Sequence, residues 1–270
     1  MSDIATYLKS VKLPVMPEVA HALIRTLNDE NTDVTTVCAV IAKDPSLTAT
    51  LLRMANSAMF GLSRTVNTLD AAVNVIGMTQ LRARALSICM AKVFVLPPAI
   101  DRLDFWRYSM VCAGYTRWLA SKAGLDEQQA WLAGMMLRLG QLAMADQNAT
   151  QAEQIELQPR APGERWLRER KITGFDEGVV TAEIARRWDF PEDLVDALAS
   201  ACDPLAASHF SRLAGVVHLG ALLADTATPT ADTLSELPVA VMTALGLQPE
   251  KLQTSMPDAE ALSDTSSLQG

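Results

Sequence analysis

Apolar residues recur at helical spacing along nearly the whole chain. In residues 17–28, for example, they return every three or four positions, which places them on one face of an α-helix. Similar stripes follow, separated by breaking residues such as Gly77, Pro97-Pro98 and Gly124. No segment alternates apolar and polar residues as a half-buried strand does. The pattern therefore predicts an all-α fold, a compact bundle of many helices.

Capping signals divide the first 100 residues into five short helices. Asp44-Pro45 and Thr68 each place an oxygen where it can accept hydrogen bonds from the free amides of a first helical turn. Gly77 suits the left-handed position at the end of a helix. Five helices in so few residues predict an N-terminal five-helix subdomain, residues 1–100.

Longer helices are predicted after the double proline at 97–98. One runs over about 104–122, and the next begins after Asp126 and carries apolar residues through Leu142. Together with later stripes, these helices make residues 101–225 a second helical half.

The C-terminal segment, residues 226–270, differs from the rest in composition. Residues 226–235 are rich in Thr, Asp and Pro, which is typical of a linker. A short helix is predicted at about 237–245, and the mostly polar residues from Met256 onward are predicted to be mobile.

Composition agrees with a folded helical chain and argues against several classes of protein. Of the 270 residues, 49% are apolar, and the helix-favouring Ala, Leu and Met are abundant. No apolar run reaches the roughly 18 residues that span a bilayer. The N-terminus lacks a secretory pattern, so a cytoplasmic location without membrane contact is expected. The four cysteines are widely spaced, which argues against a zinc ribbon or a disulfide framework.

The charge of the chain is unevenly distributed. The net charge of −8 argues against broad nucleic-acid binding. Between residues 45 and 100, however, the sequence contains several basic residues and only one acidic residue, Asp70. The arginines of this stretch are Arg53, Arg64, Arg82 and Arg84. They form a candidate surface for an acidic partner or an anion, and the alternative is an ordinary solvated surface.

A distinctive set of residues runs from Leu13 to about Pro204. In its first half the set comprises Leu13-Pro14, Pro17, Asp44-Pro45, Leu47, Leu52, Ala55-Asn56-Ser57-Ala58, Phe60-Gly61, Ala71, Ile76-Gly77 and Leu81. In its second half it comprises Phe105-Trp106-Arg107-Tyr108, Ala133-Gly134, Gly140-Gln141-Leu142, Gly174-Phe175-Asp176 and Trp188-Asp189-Phe190-Pro191. This set resembles the HDOD domain family, whose members are relatives of the HD metal phosphohydrolases. The resemblance implies an HD-like helical bundle with a role in signal transduction.

The resemblance also implies where a metal site would lie in a true HD enzyme. Such enzymes bind divalent metals through histidines and carboxylates, and the metal activates a water that attacks phosphorus. The corresponding positions of this chain hold Tyr108, Leu137, Arg138, Glu177, Ala201, Cys202 and, as a lone imidazole, His218. A fixed cation at Arg138 would repel a divalent metal. We therefore expect no catalytic residue, no metal and no cofactor.

Three functions remain open from the sequence. The preferred one is a non-catalytic regulator that binds a signalling protein supplied in trans. The second is a sensor that binds a nucleotide or another small anion in the vestigial HD cavity, with Arg138 as its partner. In the competing interpretation of Arg138, the guanidinium pairs with an internal acid such as Glu177. The third function is a phosphohydrolase with an atypical site.

Overall fold

The computed structural model describes residues 4–9, 11, 13–29, 31–57, 65–98, 100–157, 161–266 and 268. All regular secondary structure in these residues is helical, which confirms the predicted all-α fold. Among them no helix is both long enough and apolar enough to cross a membrane.

The helices are short, apart from one of 22 residues. In chain order they are α1 (Ile4–Tyr7), α2 (Glu18–Leu27), α3 (Val34–Ile41), α4 (Pro45–Ala55), α5 (Leu69–Ile76), α6 (Met78–Val93), α7 (Arg102–Ala123), α8 (Glu127–Met136), α9 (Leu139–Gln147), α10 (Ala149–Glu156), α11 (Glu164–Thr173), α12 (Glu177–Arg187), α13 (Glu192–Ser200), α14 (Arg212–Asp225), α15 (Thr233–Glu236), α16 (Val239–Leu245), α17 (Pro249–Gln253) and α18 (Ala259–Leu262).

The chain divides into two compact units. The smaller unit comprises Pro14–Val95, Trp188–Pro191 and Ser266–Gly270. The larger unit comprises Met1–Leu13, Leu96–Arg187 and Glu192–Thr265. Helices α2 to α6 all lie in the smaller unit, so the predicted five-helix subdomain is present.

The predicted capping residues set the helix boundaries of the smaller unit. The Asp44 carboxylate accepts hydrogen bonds from the amides of Ser46 and Leu47, and Thr68 accepts one from Ala71. Gly77 separates α5 from α6 and has a φ of 88°, a backbone conformation that is strained in residues with a side chain. These local contacts explain why the short helices begin and end where the sequence predicts.

Asn56 connects two parts of the smaller unit that are separate in sequence. Its amide nitrogen donates to the Leu52 and Val66 carbonyls, and its amide oxygen accepts from the Val66 amide, each at 2.7 Å. The side chain thus ties the end of α4 to the chain that leads into α5. This bracing role gives a physical reason for an asparagine at this point.

The core of the larger unit forms around α7 and α14. Apolar residues of these helices, such as Tyr115 and Leu219, are fully buried. Residues from the C-terminal segment complete the same core, among them Leu234, Leu245 and Leu252. The structure therefore places a large part of residues 226–265 against the helical body.

Candidate functional site

A turn interrupts the helix that the sequence predicts after Asp126. Leu137 and Arg138 form this turn, between α8 and α9. Thr181 on α12 accounts for the break, because its hydroxyl donates to the Leu137 carbonyl at 2.8 Å and accepts from the Gly140 amide at 2.7 Å. A side chain inserted between backbone groups replaces helical hydrogen bonds and bends the chain. The expectation of one continuous helix was therefore wrong at the residues of greatest interest.

Arg138 is buried in the larger unit and has two carboxylate partners. Only 5% of the residue is exposed. One terminal nitrogen lies 2.9 Å from Asp225 Oδ1, and Nε lies 3.6 Å from Glu177 Oε2. The guanidinium carbon lies 3.0 Å from the centroid of the Tyr108 ring. Burial alone would lower the pKa of Arg138, but these neighbours raise it above its ordinary value, so the guanidinium is charged.

A second buried arginine extends the cluster. Arg165 on α11 is 3% exposed, and its Nε lies 2.7 Å from Glu169 Oε1 and 3.6 Å from Glu177 Oε2. It also pairs with Glu156. We call the six residues of this cluster the buried charge network: Arg138, Arg165, Glu156, Glu169, Glu177 and Asp225.

Two carboxyl groups of the network lie close together and affect each other. The Glu177 amide donates to Glu169 Oε2 at 2.7 Å, and the Trp166 indole donates to Glu177 Oε1 at 2.9 Å. Burial, followed by the charge of Glu177, raises the pKa of Glu169 to about 8. The protonated form of Glu169 is therefore favoured relative to an exposed carboxyl, which lowers the negative charge of the network.

The other vestigial positions lie around His218 on α14. Its Nδ1 is 2.8 Å from the Ala201 carbonyl oxygen, which accepts hydrogen bonds and cannot donate them. Nδ1 must therefore carry the hydrogen. Burial lowers the pKa of His218, so the ring is neutral at pH 7. Burial also raises the pKa of the Cys202 thiol well above its usual range, so the sulfur keeps its proton.

These residues do not fit the divalent metal of an HD phosphohydrolase. Glu177, Cys202 and His218 are the only potential ligands among the vestigial positions. Glu177 already accepts a hydrogen bond from the Trp166 indole and lies near two guanidinium groups, which leaves only Cys202 and His218 as potential ligands among these positions. Across the described part of the chain, no group of three or more His, Cys, Asp or Glu residues could hold a metal ion.

Two cavities open near these positions, both within the larger unit. The Arg138 cavity has a volume of about 490 Å³ and is lined by Ile100, Asp101, Asp104, Phe105, Tyr108, Arg138, Gln141, Glu156, Ala224 and Asp225. The His218 cavity has a volume of about 470 Å³, and its lining includes Trp166, Arg170, Cys202, His218, Leu222 and Leu237. The seven vestigial positions are thus divided between distinct environments, with Leu137 and Ala201 fully buried.

Several important residues were missed by sequence reasoning. They are Arg165, Trp166, Glu169 and Asp225. The only signal was the spacing of Arg165 and Glu169, four residues apart on a predicted helix. Because such pairs are typical of solvated helix surfaces, the spacing did not indicate burial.

The arginines of the candidate partner surface differ in their environments. Arg53 is exposed on α4, whereas Arg82 and Arg84 are half-buried on α6. Arg82 donates to the Thr26 carbonyl at 2.7 Å, so its reversal to Glu would break a contact of the fold. Arg82 and Arg84 also lie on nearly opposite sides of the helix, about 160° apart. Arg64 lies outside the described residues.

Comparisons with known proteins agree with this fold. A fold neighbour is an HDOD domain protein of unknown function from Geobacter sulfurreducens, with a TM-score of 0.76, 19% identity, and coverage of 97% of this chain and 96% of that one. Another is a protein from Shewanella amazonensis SB2B provisionally named a phosphohydrolase, with a TM-score of 0.71, 24% identity, and coverage of 95% and 92%. These likenesses show the shared fold.

The match to sequence families is more specific. An uncharacterized protein from Treponema pallidum is 19% identical over 192 residues, and the match covers 69% of this chain but 37% of that relative. The HDOD domain profile matches residues 13–204, which is most of the chain. The chain therefore belongs to the HDOD domain family, a group of HD-like helical domains associated with signal transduction.

Proposed function

We propose that this chain is a non-catalytic HDOD regulator that acts by binding a signalling protein. The observation that carries the non-catalytic part is the buried guanidinium of Arg138, held by Glu177 and Asp225 at the vestigial metal position. A divalent metal there would face a fixed cation, and the carboxylates it needs are already paired. One fold hosts many functions, so the phosphohydrolase name of a neighbour does not decide the chemistry of this chain.

A basic row on the smaller unit supports the binding part of the proposal. Ser46, Thr50 and Arg53 share one face of α4, and Arg53 donates to the Thr50 hydroxyl at 3.2 Å. Lys92 of α6 donates to the Ser46 hydroxyl at 2.9 Å. We call these four residues the basic row. Arg53 and Lys92 are exposed at its two ends, which suits an acidic protein surface.

The absence of catalysis is tested on the purified chain. Protein isolated in the presence of Mn²⁺ should retain far less than one metal ion per chain in elemental analysis. It should also fail to hydrolyse bis(p-nitrophenyl) phosphate above the rate of the buffer. Stoichiometric metal together with turnover would overturn the non-catalytic assignment.

The partner surface is tested by affinity capture from native cells, followed by mass spectrometry. We compare the unmodified chain with the double variant Arg53→Glu, Lys92→Glu and with Lys122→Glu, which reverses an exposed charge on the larger unit. A partner should be captured by the unmodified chain and by Lys122→Glu, and lost from the double variant. Equal capture by all three would refute the basic row, provided that the thermal midpoints agree.

A further inference from the structure

The His218 cavity has the size and lining of a small-molecule site. Its volume of about 470 Å³ lies within the range of known ligand pockets. The apolar part of its wall is formed by Trp166, Leu222 and Leu237. Leu237 and the neighbouring Thr233 lie beyond the residues 13–204 that match the family. The C-terminal segment therefore contributes part of the cavity wall.

His218 offers the cavity a hydrogen-bond acceptor. Since Nδ1 of His218 carries the hydrogen that is donated to Ala201, Nε2 of the neutral ring has a free lone pair. Within the described part of the chain, no hydrogen bond reaches this nitrogen. The Trp166 N–H is already donated to Glu177, so it offers nothing to a ligand. An occupant must therefore bring its own donor to His218.

The charges around the cavity disfavour an anion. Its single lining cation, Arg170, has Nε 2.7 Å from Asp176 and a terminal nitrogen 4.0 Å from Asp203. Two further acids, Glu164 and Glu236, line the same space. A phosphate or carboxylate would meet more negative than positive charge there.

We propose that the His218 cavity binds a small, flat, uncharged heterocycle that donates an N–H hydrogen bond to His218 Nε2. The aromatic and aliphatic walls take up its apolar body, and the acidic rim excludes negatively charged analogues. The site goes beyond the proposed binding of a protein, and it is measured without any partner.

Three probes of similar shape test the donor and the charge separately. Indole offers one N–H donor, N-methylindole lacks it, and indole carboxylate adds a negative charge. In titrations followed by ligand-observed NMR, indole should bind saturably. N-methylindole should bind about fivefold more weakly, as expected for one neutral hydrogen bond of about 1 kcal/mol. Indole carboxylate should bind more weakly than indole.

Variants place the binding in this cavity. His218→Phe keeps a flat ring but should abolish the preference for indole over N-methylindole. Leu222→Trp should fill the His218 cavity and weaken the binding of every probe. Asp104 lines the Arg138 cavity instead, so Asp104→Asn should change neither the affinity for indole nor the preference for indole over N-methylindole. If His218→Phe fails to fold, nitrogen NMR of the unmodified protein decides. The His218 Nε2 signal should move with indole and not with N-methylindole.

The proposal is overturned by any of three results. The first is that indole shows no saturable binding to the folded protein. The second is that indole and N-methylindole bind equally well. The third is that a folded Leu222→Trp variant binds indole as well as the unmodified chain does. Failure of the unmodified chain to capture any partner, with intact indole binding, would refute the protein-binding function alone.

Discussion

Replacement of Arg138 by Met removes the cation at the centre of the buried charge network and keeps a side chain of similar reach. Asp225 then loses its arginine partner at 2.9 Å, and Glu177 loses one of the two arginines that each lie 3.6 Å from it. The side chains of Glu177 and Asp225 are 0% and 6% exposed, so both carboxylates would remain largely buried after the loss of this partner.

The size of the effect follows from this burial. Removing one partner from a buried ion pair destabilises proteins by about 3–5 kcal/mol, because a charge is left without compensation. For domains of this size, each kcal/mol lowers the melting temperature by about 2–4 °C. Arg138→Met should therefore lower the midpoint of the larger unit by about 6–20 °C.

The measurements are thermal unfolding, which gives the melting temperature, and urea unfolding, which gives the free energy of unfolding, both at pH 7 and followed by tryptophan fluorescence. Arg186→Met is the matched control, since Arg186 is 47% exposed and its partner Glu183 also pairs with Arg187. The control substitution should lower the free energy of unfolding by less than about 1 kcal/mol, because exposed ion pairs contribute little to stability. Adding Glu177→Gln and Asp225→Asn to Arg138→Met should recover more than half of the lost stability.

Two results would refute the reasoning. A cost for Arg138→Met as small as that of Arg186→Met would show that the carboxylates do not depend on this cation. A triple variant no more stable than the single one would show that lost packing, and not unpaired charge, causes the damage.

Two further predictions concern stability. The raised pKa of Glu169, about 8 against 4.5 for the unfolded chain, means that the folded state binds a proton that the unfolded state releases. The free energy of unfolding should therefore fall as pH rises from about 5 to 8, by up to about 1.4 kcal/mol per pH unit. In urea titrations, Glu169→Gln should flatten this dependence. Parallel pH profiles for the variant and the unmodified chain would contradict the prediction. Leu245→Ala should lower the free energy of unfolding by about 2–5 kcal/mol, because this side chain of α16 is 3% exposed. Val239 on the same helix is 73% exposed, so Val239→Ala should change stability very little. Equal effects of the two substitutions in thermal unfolding would show that α16 is not part of the core.

Local signals in the sequence predict the helices well because their physical causes are local. Asp44 and Thr68 accept hydrogen bonds from amides two or three residues away, so the cap can be recognised in the printed sequence. Gly124 ends α7 with a left-handed φ of 68°, as its residue type indicates. The all-α fold and the five-helix subdomain rest on many such contacts.

The break at Leu137-Arg138 could not be predicted in this way. Its cause is the hydroxyl of Thr181, which is 44 residues away from the carbonyl it binds. The burial of Arg165 is similar, because its charged neighbours come from three different helices. Likewise, the Arg82 side chain looked available in the sequence, but it bonds to a carbonyl 56 residues away. Contacts of this range depend on how the helices pack, which periodicity does not specify.

The buried charge network explains how acidic side chains can be kept at the centre of the larger unit. Isolated carboxylates are too costly to bury, so each must be paired or protonated. Arg138 pairs with Glu177 and Asp225, Arg165 pairs with Glu156 and Glu169, and the raised pKa of Glu169 favours its protonated form. Under the proposed non-catalytic function, the arginine that neutralises these acids would also repel a divalent metal. Restoring a single histidine at Leu137 would leave this repulsion in place, so we expect metal affinity to return only if Arg138 is replaced as well.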